Sequence, residues 1–261
     1  LPPSPRGKSP PAPRGWPRGP GASVLTGSGL AARSYQPLAG PYFPFTFRDA
    51  EHQFKYARSD VFRELAKGYD DKTGNHITAL TYYGARHVTS NKPVRTPEDM
   101  KGLKIRVPDA PAYLAFPKAL GANATPIAFA EVYLALQNGT VDAQENPLPT
   151  IEAKKFYEVQ KNISLTGHIV DSLLTVVGGP LWSKLSDADK KIFTEVTQEA
   201  AEQSSREIAA AEIRLAEEFK KRGINVIVVD KNAFREAVLK ATKPTDQGYR
   251  QADYARIHAI K

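Results

Sequence analysis

Apolar side chains recur at helical spacing in segment 47–74, the first strongly patterned part of the chain. The residues that share one face of this pattern are Phe54, Val61, Phe62 and Leu65. A stripe of this kind is typical of amphipathic helices that pack one face on a core. The segment therefore predicts one or two surface helices.

Short runs rich in Thr, Tyr, Val and Ile alternate with helical segments in the rest of the chain. The predicted strands are Ile77–Tyr83, Arg86–Ser90, Leu103–Val107, Ala124–Ile127, Leu173–Val177 and Ile224–Val229. The predicted helices are a single turn that begins at Thr96, a helix over Ala110–Leu120, a helix from Ala130 to Gly139, and a last helix from Lys231 towards Ala259. This alternation indicates an α/β architecture with a substantially parallel sheet.

The longest predicted element is a helix over Asp187–Arg222. Ser186 is a suitable N-cap for it, and Gly223 is a suitable residue to end it. A helix of this length spans about 50 Å at 1.5 Å per residue, which exceeds the diameter of a small domain. We therefore expect it to project from the molecule or to cross two lobes.

Residues 1–40 differ in composition from everything that follows. Eight of the first twenty residues are Pro, and no apolar periodicity accompanies them. Such a segment buries too little apolar surface to offset the entropy of ordering, so it predicts a disordered Pro- and Arg-rich tail. It also lacks the continuous apolar core and small-residue cleavage site that are typical of a signal peptide.

Composition and charge argue against several classes of function. The chain of 261 residues has no Cys, so disulfides, thiolate catalysis and Cys-based zinc sites are excluded. Residues 1–40 hold five Arg or Lys and no Asp or Glu, so most of the net charge of +8 belongs to the predicted tail. Basic tails are more often solvated than specific, and we therefore expect no nucleic-acid partner. No nucleophile elbow, phosphate loop or metal-binding spacing of His occurs, so we expect no enzyme activity, cofactor or metal.

Two arginines stand at the edges of predicted strands. Arg86 lies in the run GARHV, and Arg106 lies in the run KIRVP. The planar guanidinium matches the two oxygens of a carboxylate and keeps its charge at every physiological pH. For a single arginine on a strand, a surface salt bridge is the simpler interpretation, and the residues alone leave both open.

Asn146 and Phe129 also have side chains that suit a ligand. Asn146 precedes Pro147, which favours an extended backbone, and its amide can both donate and accept hydrogen bonds. The alternative for Asn146 is a turn-forming residue before Pro. Phe129 opens a predicted helix, where it suits packing in the core as well as stacking on a ligand.

The run Phe129–Gln160, FAEVYLALQNGTVDAQENPLPTIEAKKFYEVQ, together with KIRVP, resembles the periplasmic substrate-binding subunits of tripartite ATP-independent periplasmic (TRAP) transporters, the DctP family. The resemblance extends from about Pro44 to the C-terminus. One departure is Ala143, which stands where many relatives have Gly. The runs RVPDAPAYLAF and FAEVYLALQ are most similar to family members that bind sugar acids such as sialic acid or hexuronates.

The resemblance implies a set of ligand-binding residues. The arginine of the R-V-P run, Arg106 here, would be the main clamp on the ligand carboxylate. Arg86 and Asn146 would assist it, and Phe129 would stack on the ligand. Among the five His, the resemblance places His168, in SLTGH, near the cleft between the lobes.

The same resemblance implies a two-lobed, periplasmic-binding-protein-like (type II) α/β fold with one long lobe-spanning helix. Residues 41–84 and 172–210 would form a remnant of lobe I, and residues 85–171 and 211–261 would form lobe II with the C-terminal helices. Family members have a first strand and further lobe I sequence where this chain has residues 1–40. We therefore expect the first lobe to be incomplete.

The function implied is that of an extracytoplasmic solute receptor. We expect a monomer that binds a small organic acid in the periplasm of a Gram-negative bacterium and delivers it to the membrane permease subunits of a TRAP transporter. Three other interpretations stay open. They are an α/β enzyme that uses His168 or Glu131 as a base on organic acids, a basic interaction protein that acts through residues 1–40, and a truncated fragment that binds nothing.

Overall fold

The computed structural model describes residues 23–261. The β-strands in this range are β1 Ser23–Gly27, β2 His76–Ser90, β3 Lys104–Val107, β4 Asn123–Pro126, β5 Ala143–Pro147, β6 Asn162–Val177 and β7 Asn225–Ile227. They form one seven-stranded sheet in the order β1-β6-β2-β5-β3-β4, and β7 pairs with β6. Strand β3 is parallel to β4 and β5, and β7 is parallel to β6, whereas all other pairs are antiparallel. The sheet is therefore mixed, and the predicted parallel character holds only for part of it.

Ten α-helices lie in the described range, and short 3-10 turns connect several of them. The helices are α1 Ser28–Ala31, α2 Ala50–Ala57, α3 Asp60–Thr73, α4 Ala115–Ala119, α5 Val132–Gln137, α6 Leu148–Ala153, α7 Gly179–Trp182, α8 Asp187–Lys221, α9 Lys231–Ala241 and α10 Gln251–Ala259. The 3-10 turns are Gln36–Tyr42, Pro97–Met100, Pro111–Tyr113, Phe129–Glu131, Phe156–Glu158 and Pro244–Gln247. None of the helices in residues 23–261 combines the length and apolar character that crossing a membrane requires.

Two long antiparallel strands, β2 and β6, join the two lobes. Strand β2 has 15 residues and β6 has 16. One end of β6 pairs with β1 and with the first half of β2, and the other end pairs with β7. The second half of β2 pairs with β5. The sequence predicted β2 as two separate strands and found only residues 173–177 of β6, because irregular pairing and buried polar side chains interrupt the apolar pattern in both.

The long helix α8 contacts both lobes, as predicted. Ser186 caps its N-terminus by accepting a hydrogen bond from the backbone N–H of Asp189 at 3.1 Å. Ser205, in the middle of the helix, accepts a hydrogen bond from the backbone N–H of Tyr82 in β2 at 2.9 Å. Near the other end, Arg222 forms an ion pair with Glu152 of α6 at 2.9 Å. The helix therefore lies across β2 and fixes the two lobes to one common element.

Residues 23–42 correct the prediction of a disordered segment 1–40. Strand β1 pairs with residues 173–177 of β6, and Leu38 and Tyr42 are buried in the main core. The pairing and these buried side chains supply the ordering energy that composition alone does not reveal. The part of the predicted tail that precedes Ser23 lies outside the described residues.

The C-terminal segment differs from the prediction in its number of helices. The predicted last helix is two helices, α9 and α10, because Pro244 removes a backbone donor and the chain turns before α10 begins. Helix α10 packs on segment 36–73. Arg256 of α10 forms a bidentate ion pair with Glu64 of α3 at 2.6 and 2.8 Å, and His52 contacts the carbonyl of Ile257 at 2.9 Å.

Gly84 marks an irregular point of β2, where the pairing of this strand with β6 shifts register. Its φ is +119°, and a Cβ at this position would lie 2.6 Å from the Cβ of Pro147. We expect Gly84→Ala to lower the free energy of unfolding by about 2–5 kcal/mol, because it adds backbone strain and overpacking together. Chemical denaturation would measure this loss. Gly40→Ala is the matched control, since nothing lies within 4 Å of its Cβ position; equal stability of the two variants would contradict the prediction.

Candidate ligand-binding site

The candidate site lies where the parallel strands β3, β4 and β5 end. Arg106 of β3 is opposite Thr125 of β4 and Gln144 of β5 in the register of the sheet. Asn146 and Pro147 complete β5 at the same edge. Ligands of open α/β sheets bind outside the carboxyl ends of parallel strands, where loops leave a crevice. The fold therefore brings Arg106 and Asn146 to a common edge, although they are far apart in sequence.

Arg106 is a buried cation without an acidic partner. Its Nε and Nη2 donate to the carbonyl oxygen of Ile127 at 3.0 and 2.7 Å. Its Nη1 is buried and has no hydrogen-bond partner, and no Asp or Glu of the described chain forms an ion pair with it. Burial lowers the pKa of Arg106 to about 10. A guanidinium in this state retains its charge at neutral pH and has donors available for an anion.

Phe129 lies beside Arg106 at the start of a 3-10 turn. Its ring centroid is 5.9 Å from Cζ of Arg106 and 5.3 Å from Nζ of Lys154. The ring is 41% exposed and packs edge-on against Phe156. Phe129 is therefore not a core residue, because it is partly exposed and lies next to two cations. The sequence reading did not identify Lys154 as part of this group.

Arg86 has a different environment, because its donors are engaged by the protein. Its Nη1 donates to Asp171 at 2.6 Å, its Nη2 donates to Glu145 Oε1 at 2.8 Å, and its Nε donates to the other oxygen of Glu145. Nη2 also donates to the side-chain oxygen of Asn146 at 3.2 Å. The ring of Tyr113 lies 4.9 Å from its Cζ. Two carboxylates thus neutralise the charge of Arg86, whereas Arg106 has a donor without a partner.

An irregularity in the pairing of β2 and β6 brings His168 next to Glu145. The pairing jumps from Arg86↔Ile169 to Val88↔Ser164, so residues 165–168 bulge out of the regular ladder. Gly167 adopts a φ of +54° in this bulge. The bulge directs His168 towards Glu145, and its Nε2 is 3.2 Å from Oε2 of that residue. The ring of His168 stacks on Phe116 with centroids 3.8 Å apart.

The protonation states of this network follow from its contacts. Burial alone would raise the pKa of Glu145, but Arg86 and His168 outweigh it and lower the pKa. Burial raises the pKa of Asp171, although Arg86 and Tyr42 both contact its carboxylate. Burial also lowers the pKa of His168. A carboxylate only accepts hydrogen bonds, so Nε2 of a neutral His168 carries the proton and Nδ1 accepts from the hydroxyl of Thr166 at 2.8 Å.

Asn146 is the member of the network nearest to the edge. Its Nδ2 donates to Oε1 of Gln144 at 2.6 Å, and its Oδ1 accepts from Arg86. These contacts hold the amide in one orientation. The structure thus connects His168 to Arg86 through Glu145 and Asn146 directly to Arg86, and it places Arg106 and Phe129 in a second group at the same edge. Sequence reasoning missed Glu145, Asp171 and Tyr113 as partners, although Glu145 directly precedes Asn146 in QENP.

His87 gives the site region a predictable acid sensitivity. Burial, together with the nearby charge of Lys231, lowers the pKa of His87 to about 3. The ordinary pKa of His in an unfolded chain is about 6.5, so protons bind the unfolded state preferentially below that pH. The stability that neutral His87 contributes is therefore fully present above about pH 6.5. It falls as the pH drops towards 3, with a loss of about 2 kcal/mol at pH 5. Chemical denaturation at pH 8 and pH 5 should show a smaller difference in His87→Gln than in the unaltered chain; equal differences would contradict this.

The described residues contain no group of three or more His, Asp or Glu that is placed to hold a metal ion.

The catalytic alternatives from the sequence receive little support from the geometry. Both ring nitrogens of His168 have partners within the protein, and Glu131 is exposed on a 3-10 turn. The arrangement is suited to holding an anion.

Comparisons with known proteins agree with this geometry. Residues 28–247 match the family model for bacterial extracellular solute-binding protein, family 7, also called DctP. The chain belongs to this family, so the resemblance predicted from the sequence is confirmed, and the match begins before Pro44. The sialic acid-binding periplasmic protein of Vibrio cholerae is 39% identical over 217 residues, which are 83% of this chain and 68% of that protein.

Two solved structures of TRAP periplasmic solute-binding proteins have the same two-lobed fold. The protein from Roseobacter denitrificans, with bound 3-deoxy-D-manno-oct-2-ulosonic acid, has a TM-score of 0.86 and 30% identity over 92% of this chain and 81% of its own. The protein from Polaromonas, bound to D-erythronate, has a TM-score of 0.84 and 34% identity over 92% of this chain and 79% of its own. The chain spans between 60% and 68% of the length of the first four curated relatives that it matches.

Proposed function

We propose that this chain is an extracytoplasmic solute receptor that binds the carboxylate of a small organic acid with Arg106 and delivers the acid to the permease of a TRAP transporter. The observation that carries this proposal is the buried Arg106 whose Nη1 has no partner. A buried charge without a counter-ion costs several kcal/mol, and such groups are retained where a ligand completes them. A carboxylate is the ligand group that matches a guanidinium in charge and shape.

The neighbours of Arg106 support a hydroxylated acid as the ligand. Phe129 is partly exposed and gives an aromatic ring on which a sugar ring or carbon chain can pack, and Lys154 adds a second cation beside that ring. Asn146 lies at the same edge and has an amide group fixed by Gln144 and Arg86. The named ligands of the relatives, which are sialic acid, 3-deoxy-D-manno-oct-2-ulosonic acid and D-erythronate, are all sugar acids. We therefore rank sugar acids first.

In this proposal the residues singled out by the sequence have different tasks. Arg106 binds the carboxylate directly, and Phe129 packs against the carbon skeleton of the acid. Arg86 positions Asn146 and Glu145, and His168 holds the second oxygen of Glu145 in place. Closure of the two lobes around the acid would follow if contacts to both lobes are available only in the closed state. Periplasmic location and action as a monomer complete the proposal.

The decisive experiment is a calorimetric titration with matched acids and neutral analogues. The panel consists of N-acetylneuraminate, D-erythronate and D-galacturonate, and D-galactose is the neutral match for D-galacturonate. We expect saturable binding of at least one acid, weaker binding at high salt because a charge pair is screened, and no binding of D-galactose. Mass spectrometry of the recovered acid should show it unchanged. Failure of every acid to bind would contradict the receptor, and turnover of an acid would favour the enzyme alternative.

A further inference from the structure

A cavity in the described part of the chain is separate from the Arg106 site. It has a volume of about 650 Å³ and lies between α2, α3, the first half of β2 and the middle of α8. None of the residues discussed for carboxylate binding lines it. Pockets for small organic ligands have volumes of about 300–1,000 Å³, so the cavity is large enough for a molecule of that class.

Gln53 of α2 is the feature that gives this cavity a chemical preference. The residue is 1% exposed and lines the cavity, yet neither its Nε2 nor its Oε1 has a hydrogen-bond partner. Leaving a buried polar group unpaired costs about 1–3 kcal/mol, and native proteins rarely do so without a reason. The carboxamide presents a donor and an acceptor side by side. A ligand amide, with its own N–H and C=O, satisfies both atoms at once.

The remaining walls define the other parts of such a ligand. Apolar side chains, among them Phe54, Phe62 and Leu80, surround the interior. The mouth carries exposed cationic side chains. Arg58 and Arg206 share Glu202 as their partner, whereas Lys55 has no ion pair within the described chain. An anionic group at the outer end of a ligand would therefore be attracted to Lys55.

We propose that this cavity is a second binding site, independent of the Arg106 site, for small N-acylated amino acids. The apolar side chain of the ligand packs between α3 and β2, its amide pairs with Gln53, and its carboxylate faces Lys55 at the mouth. The proposal rests on the geometry of the cavity and holds whether or not Arg106 binds an organic acid.

The test compares two probes that differ in a single group. N-Acetyl-L-phenylalanine carries the amide, and O-acetyl-L-phenyllactic acid has an ester oxygen in place of the N–H. We expect the amide to bind about tenfold more tightly than the ester in ligand-observed NMR titrations, because the ester leaves Oε1 of Gln53 without a donor. Gln53→Leu should remove the difference, and Lys55→Gln should weaken both probes. Arg106→Ala should change neither affinity.

Stability measurements make the same test independent of ligand choice. Gln53→Leu replaces two unpaired polar atoms by apolar ones, so we expect the variant to fold and to have a higher melting temperature. Gln53→Glu is a second variant of equal size that loses the donor while it keeps acceptors. Absence of saturable binding of the amide, equal affinity for amide and ester, or loss of binding in Arg106→Ala would each overturn the proposal, and so would a crystal structure soaked with the amide that shows only ordered water beside Gln53.

Discussion

Replacement of Arg106 by Met should strongly weaken binding of the organic acid and at the same time stabilise the ligand-free protein. The charge-assisted contact between a guanidinium and a carboxylate contributes about 1.5–3 kcal/mol or more when both are desolvated, so affinity should fall at least tenfold to a hundredfold. In the absence of ligand, Met removes a buried charge that forms no ion pair, although Glu145 lies near enough to attract it. We expect the free energy of unfolding to rise by about 1–3 kcal/mol.

The opposite signs of these two effects separate a binding role from a structural one. Calorimetry with the best-binding acid measures the first effect, and chemical denaturation without ligand measures the second. Arg95→Ala is the matched control, because it removes one positive charge from an exposed position eleven residues earlier in the chain. An Arg106→Met variant that binds normally would contradict the proposed function. A variant that loses binding and stability together would show that Arg106 serves the fold first.

Arg106→Lys tests the importance of the guanidinium group, because it keeps the positive charge and changes the geometry of the hydrogen-bond donors. A lysine ammonium cannot present two parallel donors to a carboxylate, nor can it reproduce the two hydrogen bonds to the carbonyl of Ile127 that orient Arg106. We expect intermediate affinity, below that of the unaltered chain and above that of Arg106→Met. Equal affinity of Arg106→Lys and the unaltered chain would mean that only the charge matters at this position.

The elements that sequence predicts best are those whose signals are local. Ser186 and Gly223 mark the ends of α8 because capping is decided by neighbouring residues in the chain. The same holds for α3, which begins after Ser59 and ends at Gly74 in a left-handed conformation. By contrast, the continuity of β2 and β6 depends on their mutual pairing across residues 76–90 and 162–177. No local pattern reveals that pairing, and Gly84 and the bulge at 165–168 conceal it further.

Strand β1 illustrates a second limit. Its five residues, SVLTG, follow a Pro-rich run. A prediction that averages composition over a longer segment therefore assigns disorder to them. The strand forms because Leu173–Val177 of β6 presents a ready partner. The ordering of residues 23–42 is therefore a consequence of contacts about 150 positions away in sequence, and composition-based reasoning has no access to them.

The candidate site divides in the same way. Arg106 and Asn146 follow from short motifs, KIRVP and QENP, whose neighbours carry the resemblance to the family. The difference between Arg106 and Arg86 does not follow from any motif. Glu145 and Asp171 reach Arg86 only because β5 and β6 flank β2, so sequence alone could not tell which arginine is paired and which is open.

Replacement of Arg86 by Met should have the largest effect on stability of any substitution in this region. It leaves Glu145 and Asp171, both buried, without the cation that they share. Removal of one partner from a buried ion pair typically costs about 3–5 kcal/mol, and two carboxylates are affected here. We expect a loss of at least that size in chemical denaturation at pH 8. Arg63→Met, which removes an exposed ion pair with Asp60, is the control and should change stability by less than about 1 kcal/mol.

The pH dependence of Arg86→Met provides the sharper criterion. Without Arg86, burial dominates and the pKa values of Glu145 and Asp171 rise in the folded state, so protons bind the folded form preferentially. Stability of this variant should then improve as the pH falls from 8 to 5, relative to the unaltered chain, which loses stability in that interval because of His87. A loss at pH 8 of less than about 1 kcal/mol, or a deficit that grows at pH 5, would mean that the two carboxylates are not held as anions by Arg86.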